Sequence, residues 1–250
     1  MNKTNIYLRV CLGVLFSVNS FAAFADKLYI PIESKHNAVV LQAEKGSIPK
    51  IVYFGAKLQN KEYEKVAGQY HQGTDYSGIL NAAYTPSGSR NLVEPAITLT
   101  HADGNTSLDL QYSSHQTKSL GDNITETEVL LKDPAYPLQV TLHYKVYFEE
   151  DVVEQWVSIV HQEKKDVVLH KYASANLYLK ADSYWLKQYH GDWAMEMQPE
   201  ESRLTHGIKT LDSKLGTRAH LYQPPVFMVS LDNPAKEDQG SVLYGQVEWS

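Results

Sequence analysis

The sequence predicts an all-β protein, a large antiparallel β-sandwich, and three observations carry that reading. Apolar residues alternate with polar ones at period two, most cleanly at Leu138, Val140, Leu142, Tyr144 and Val146, as a strand with one buried face requires. Short apolar runs recur between clusters of Gly, Pro, Asn and Asp. No amphipathic helix of three or more turns can be drawn anywhere in the 250 residues.

In chain order, Lys27 to Ile32 and Ala38 to Ala43 are predicted strands joined by the turn-forming Glu33-Ser34-Lys35-His36-Asn37. Pro49 to Phe54 is apolar and β-branched, and Gly55 is expected to break it. Leu58 to Leu92 loses periodicity and reads as a long loop or a set of short turns, and a loop of that length is uncommon inside a compact domain and usually functional. Ala96 to Thr100 and Leu108 to Ser114 read as a hairpin across Ala102-Asp103-Gly104-Asn105. Glu126 to Lys132, Leu138 to Phe148 and Val152 to His161 follow as strands. Val167 to Leu169, Ser174 to Leu179, Thr205 to Thr210, Pro224 to Leu231 and Ser241 to Trp249 complete the set. No internal repeat or Pro-rich linker marks a domain boundary.

Residues 1–25 have the form of a secretory signal: Lys3 and Arg9 come first, Val10 to Phe21 is mostly apolar, and Ala23-Phe24-Ala25 fits small-x-small cleavage. The apolar stretch is too short to span a bilayer. The expected compartment is periplasmic or extracellular in a bacterium. The only cysteine, Cys11, lies inside this segment, so disulfides, thiolate catalysis and zinc–thiolate sites are excluded from residues 26–250. The chain has 23 Lys and Arg against 29 Asp and Glu, net −6, and loss of Lys3 and Arg9 makes it −8. With no basic block, nucleic acid is not an expected partner.

Motifs for phosphate binding, serine-nucleophile chemistry and helical zinc ligation are absent, and the ten histidines show no ligand spacing. No metal and no cofactor is expected. Glu149-Glu150-Asp151 is the densest acidic group, but neighbouring residues point in different directions, so it reads as a solvated hairpin turn. Trp193 is different. A tryptophan is by default a core or interface residue, yet His190, Gly191 and Asp192 before it are polar and turn-forming. An indole can stack on the apolar face of a pyranose and donate one hydrogen bond from its ring nitrogen. Asp182, Asp192 and Glu196 flank the Trp motif and are candidates for anchoring a loop or touching a sugar.

At these residues the chain resembles the N-terminal domain of glycoside hydrolase family 36, the α-galactosidases. The segment Ile51-Val52-Tyr53-Phe54-Gly55-Ala56-Lys57-Leu58 is similar to the family's aromatic-Gly-x-Lys/Arg-Leu motif, and Gly191-Asp192-Trp193-Ala194-Met195-Glu196 to its Gly-x-Trp-Ala-x-Glu motif. Leu211 to Arg218 and the closing run Gly240 to Gly245 follow in the family's order. The resemblance implies a galactose-mutarotase-like β-supersandwich over residues 26–250, preceding a (β/α)8 barrel. It implies release of terminal α-linked galactose with retention, using two barrel aspartates and no cofactor. Those aspartates are not matched in this chain and none of its predicted strands carries the family's Lys-x-Asp motif, so none of its residues is assigned a catalytic role and it is expected to be inactive alone. The resemblance assigns Trp193 to substrate contact, names Asp75 as the nearest match for a family aspartate that contacts galactose, and implies a barrel or a neighbouring subunit as partner. Two other readings stand beside it: a free carbohydrate-binding β-sandwich, and one half of an enzyme whose barrel is encoded separately.

Overall fold

The computed structural model describes residues 27–59, 61–67, 79–88, 92–212 and 222–248. The expected signal segment 1–25, Asp75 and most of the 211–218 segment lie outside the described residues. The chain divides into two compact units, Met1–Tyr178 and Leu179–Ser250.

The first unit contains β1 (Leu28–Glu33), β2 (Asn37–Ala43) and β3 (Lys50–Ala56) in one antiparallel sheet. A single helical turn, α1 (Tyr63–Val66), follows. β4 (Ile97–Thr100) pairs with β9 (Val168–Tyr172). β5 (Gln111–Gly121), β6 (Ile124–Lys132), β7 (Leu138–Tyr147) and β8 (Val152–His161) form a four-stranded meander. Strand β7 buries every second residue, and its inward row Leu138, Val140, Leu142, Tyr144 and Val146 joins Ile30, Ile32, Val39, Leu41 and Ile51 in one core. Two sheets therefore share an interior, as in a β-sandwich. A smaller cluster on the other face of the first sheet, Ala38, Val40 and Val52, is capped by Tyr63 of α1. The Tyr63 hydroxyl donates to Glu33 Oε1 at 2.5 Å, and burial, reinforced by that bond, pushes its phenol up to about 12.

The structure changes some of these expectations and sharpens another. Gly55 does not end β3: the pairing runs on through Ala38↔Gly55 to Asn37↔Ala56. The Tyr53 hydroxyl lies 3.2 Å from where a Cβ on Gly55 would stand and donates to the Ala56 carbonyl at 2.5 Å, so the glycine makes room for a ring instead of a turn. The 96–114 hairpin does not form. The turn itself exists, with the Gly104 N–H on the His101 carbonyl at 2.9 Å, but β4 pairs with β9 and Leu108 and Leu110 go to the core. The described part of the 58–92 stretch is made of short turns and the single turn α1, and it buries Ala82, Ala83 and Tyr84. The Tyr84 hydroxyl donates to the Ala173 carbonyl at 2.9 Å, and burial pushes its phenol up to about 12. Ser174–Leu179 and Thr205–Thr210 are not strands. In the first of these, Asn176 Nδ2 donates to the Ala82 carbonyl at 2.9 Å, so a side chain ties the segment to its neighbour in place of a ladder.

The second unit is a sheet of order β11-β10-β12-β13, from β10 (Tyr184–His190), β11 (Gln198–Arg203), β12 (Val226–Leu231) and β13 (Ser241–Gln246). All its pairings are antiparallel. Gly245 sits opposite Phe227, and a Cβ there would stand 2.3 Å from the ring. β13 is an edge strand, with Val242 and Tyr244 exposed.

Candidate functional site

The site begins with the β10–β11 hairpin. Its register runs from Trp185↔Arg203 to His190↔Gln198, leaving Gly191 to Met197 as the connecting loop. Asp192 and Met195 close a four-residue turn, with the Met195 N–H on the Asp192 carbonyl at 3.0 Å. Ala194, in its third position, has φ +59°, which is type II geometry. Non-glycine residues adopt that conformation only where the surroundings hold them. Here two acids do so: Asp192 Oδ1 accepts the Trp193 N–H at 2.7 Å, and Glu196 Oε1 accepts the Ala194 N–H at 3.2 Å. The Gly191 N–H on the Tyr222 carbonyl at 2.9 Å ties down the base of the loop, and Gln223 Nε2 bonds the Tyr189 carbonyl there. The loop raises Trp193 to 82 % exposure, beside exposed Met195 and Met197.

This arrangement gives Asp192 and Glu196 a job: their carboxylates brace the turn that presents the indole. Asp75 is outside the described residues, so its position relative to Trp193 is not part of this geometry. Glu149, Glu150 and Asp151 form the β7–β8 turn as expected, but Asp151 is not merely solvated. Its carboxylate accepts the Ser34 hydroxyl at 2.7 Å, the His36 N–H at 2.7 Å and His36 Nδ1 at 2.6 Å. The His36 side chain, then its N–H and the Ser34 hydroxyl, hold this carboxyl well below the usual carboxylate range.

Two polar groupings were not legible from spacing. Glu126, Glu128 and His143 bring one ligand-type atom each within 4.8 Å of one another on the outer face of the meander. Cross-strand pairing of Glu128 with His143 produces the cluster, and each member is already engaged. His143 reaches Glu126 at 2.9 Å and Ser158 Oγ at 3.0 Å, stacks on Trp156 with ring centroids 4.7 Å apart, and Lys118 pairs Glu128 at 2.8 Å.

The other grouping lies where three loops meet, after β4, before β7 and after β8. The His101 side chain is fully buried, with Nδ1 at 2.7 Å from Glu163 Oε1 and Nε2 at 3.2 Å from the Ser107 carbonyl. Both partners are acceptors, so a proton on either ring nitrogen has an oxygen to donate to. Glu163 Oε2 accepts the Ala102 N–H at 2.9 Å. Burial pushes the Glu163 carboxyl up, but the bonds from His101 and Ala102 outweigh it and the group sits below its ordinary value. Tyr136 stacks on His101 with centroids 3.6 Å apart, its hydroxyl held by Asp103 and Asn105.

The fold and the hairpin together define a class: an antiparallel β-sandwich chain carrying an exposed, braced tryptophan and among whose described residues no converging pair of free carboxylates is seen. The sequence profile of the glycosyl hydrolase family 36 N-terminal domain matches residues 47–250, and the chain belongs to that family. It is 26% identical over 176 residues to alpha-galactosidase C of Emericella nidulans, covering 65% of this chain and 23% of that one. It is 24% identical over 247 residues to a bifunctional alpha-galactosidase/sucrose kinase of Mediterraneibacter gnavus, covering 89% and 26%. Among solved structures, the alpha-galactosidase of Lactobacillus brevis superposes with TM-score 0.73 at 21% identity, over 82% of this chain and 31% of that one. The family 36 alpha-galactosidase AgaA of Geobacillus stearothermophilus gives 0.71 at 20%, over 86% and 33%. These superpositions establish the shared fold. The chain spans about a quarter of the length of the curated relatives it matches. No helix among the described residues is long and apolar enough to cross a membrane.

Proposed function

We propose that this chain is the N-terminal β-supersandwich domain of an exported α-galactosidase-like glycoside hydrolase. It shapes the galactose pocket and subunit contacts, while hydrolysis belongs to a (β/α)8 barrel. The observation that carries the reading is the exposed indole of Trp193, raised on a braced turn within the family's Gly-x-Trp-Ala-x-Glu segment. An indole so placed offers a flat apolar face to the C–H face of a galactose ring. Asp75 is the second proposed sugar contact. Catalytic carboxylates of a retaining glycosidase stand about 5–5.5 Å apart, and no such free pair is assigned to this chain.

The test is a pair of assays. The chain alone is given an aryl α-galactoside, and a barrel-containing form of the same protein is given the same substrate with and without Trp193→Ala. The expected outcome is no turnover by the chain alone, and a raised KM with the substitution. Turnover at enzymatic rates by the chain alone defeats the proposal. Because Trp193 is exposed without any partner chain, a stand-alone carbohydrate-binding role is the second reading. It requires calorimetric galactoside binding by the isolated chain that Trp193→Ala removes.

A further inference from the structure

The three-loop grouping around His101 forms the floor of an open cleft of about 450 Å³, within the size range of small-molecule sites. Every residue lining the cleft belongs to the first unit. Tyr136 and Pro137 give it an apolar wall, and Asp103, Gln162, Lys164 and Lys165 line the rest. The wall is rigid: His101 backs the Tyr136 ring, and its hydroxyl donates to Asp103 Oδ2 at 2.9 Å and accepts from Asn105 Nδ2 at 2.8 Å.

The hydrogen-bond inventory then selects the ligand. Each carboxylate oxygen of the cleft already accepts one bond. Glu163 holds His101 and the Ala102 N–H, and Asp103 holds Tyr136 and the Asn105 N–H. Lys164 and Lys165, which can only donate, and the Gln162 amide, which can donate and accept, make no side-chain bond among the described residues. A neutral sugar would leave both ammonium groups without a counter-charge. A ligand with its own acceptor charge meets two unpaired cations. We propose that this cleft binds an acidic sugar, a pyranose bearing a carboxylate or sulfate. Its apolar face lies on Tyr136 and Pro137 and its anionic group reaches Lys164 and Lys165.

The experiment is chemical-shift mapping on the ¹⁵N-labelled full chain, titrated separately with sodium galacturonate, galactose and sodium sulfate. Galacturonate is expected to move the amides of Ala102, Gln162 and Lys164 with millimolar affinity, and galactose to bind several-fold more weakly. The surface double substitution Lys164→Gln/Lys165→Gln is expected to cost about tenfold, from two exposed ion pairs. Equal responses to galacturonate and galactose overturn the proposal, as does undiminished binding by the lysine variant. An equal response to sulfate alone reduces the site to an anion contact and overturns the sugar assignment. Absence of shifts at these amides removes the site altogether.

Discussion

Glu163→Gln tests the buried pair at its centre. The carboxylate accepts two bonds, from His101 Nδ1 at 2.7 Å and the Ala102 N–H at 2.9 Å, with its side chain only 6% exposed. A glutamine amide has one oxygen, so one of these donors faces an NH₂ group and goes unpaired, at about 1–3 kcal/mol. A loss of about 2 kcal/mol is therefore expected near pH 7, or roughly 4–8 °C in Tm for a domain of this size. The assay is urea denaturation of both proteins from pH 7 to pH 3. The folded-state value of Glu163 is depressed, so its contribution is fully present above the unfolded value of about 4.3 and is lost as pH falls through the lower folded value. The variant has no carboxylate to protonate, so the gap between the two proteins must narrow on acidification. A gap below about 0.5 kcal/mol, the scale of an ordinary surface change, or one that stays constant down to pH 3, refutes the reasoning.

Three further outcomes are expected. Leu131→Ala empties a site with 0% exposure and should cost about 2–5 kcal/mol in chemical denaturation. Trp193→Ala should leave the unfolding midpoint of the isolated chain unchanged within about 0.5 kcal/mol, since the ring is 82% exposed; a large loss of stability would show that the indole has a packing role instead. The edge of β13, unpaired among the described residues and carrying exposed Val242 and Tyr244, should drive concentration-dependent self-association visible in light scattering, and Val242→Lys should suppress it; a monodisperse wild-type monomer contradicts this.

The legible parts of the fold were those where one physical signal acted alone. β7 alternates apolar and polar residues without interruption because one face meets the core, and β8 was bounded at both ends by turn residues. Illegible parts had competing causes. The outer half of β5, Ser114 to Gly121, is exposed on an edge strand and carries no apolar period. β11 reads Gln-Pro-Glu-Glu-Ser-Arg and is a strand only because β10 pairs with it. The partner of β4 is some seventy residues away, while a good turn sequence lay immediately after it, so local chemistry pointed to the wrong neighbour. At the candidate site, the turn-forming residues around Trp193 announced an exposed loop. The His101–Glu163 pair left no mark, because residues 62 apart in sequence meet only through the pairing of β4 with β9.

The Asp151 clamp bears on the order in which the first unit assembles. The β1–β2 turn has its own Ser34–Asn37 bonds, yet the charged lock on His36 comes from a residue 115 positions later. Closing so long a span must be paid entropically before the contact returns anything, and chains dominated by such distant pairings fold slowly. During synthesis the first hairpin therefore waits, unlatched, until the meander behind it has emerged.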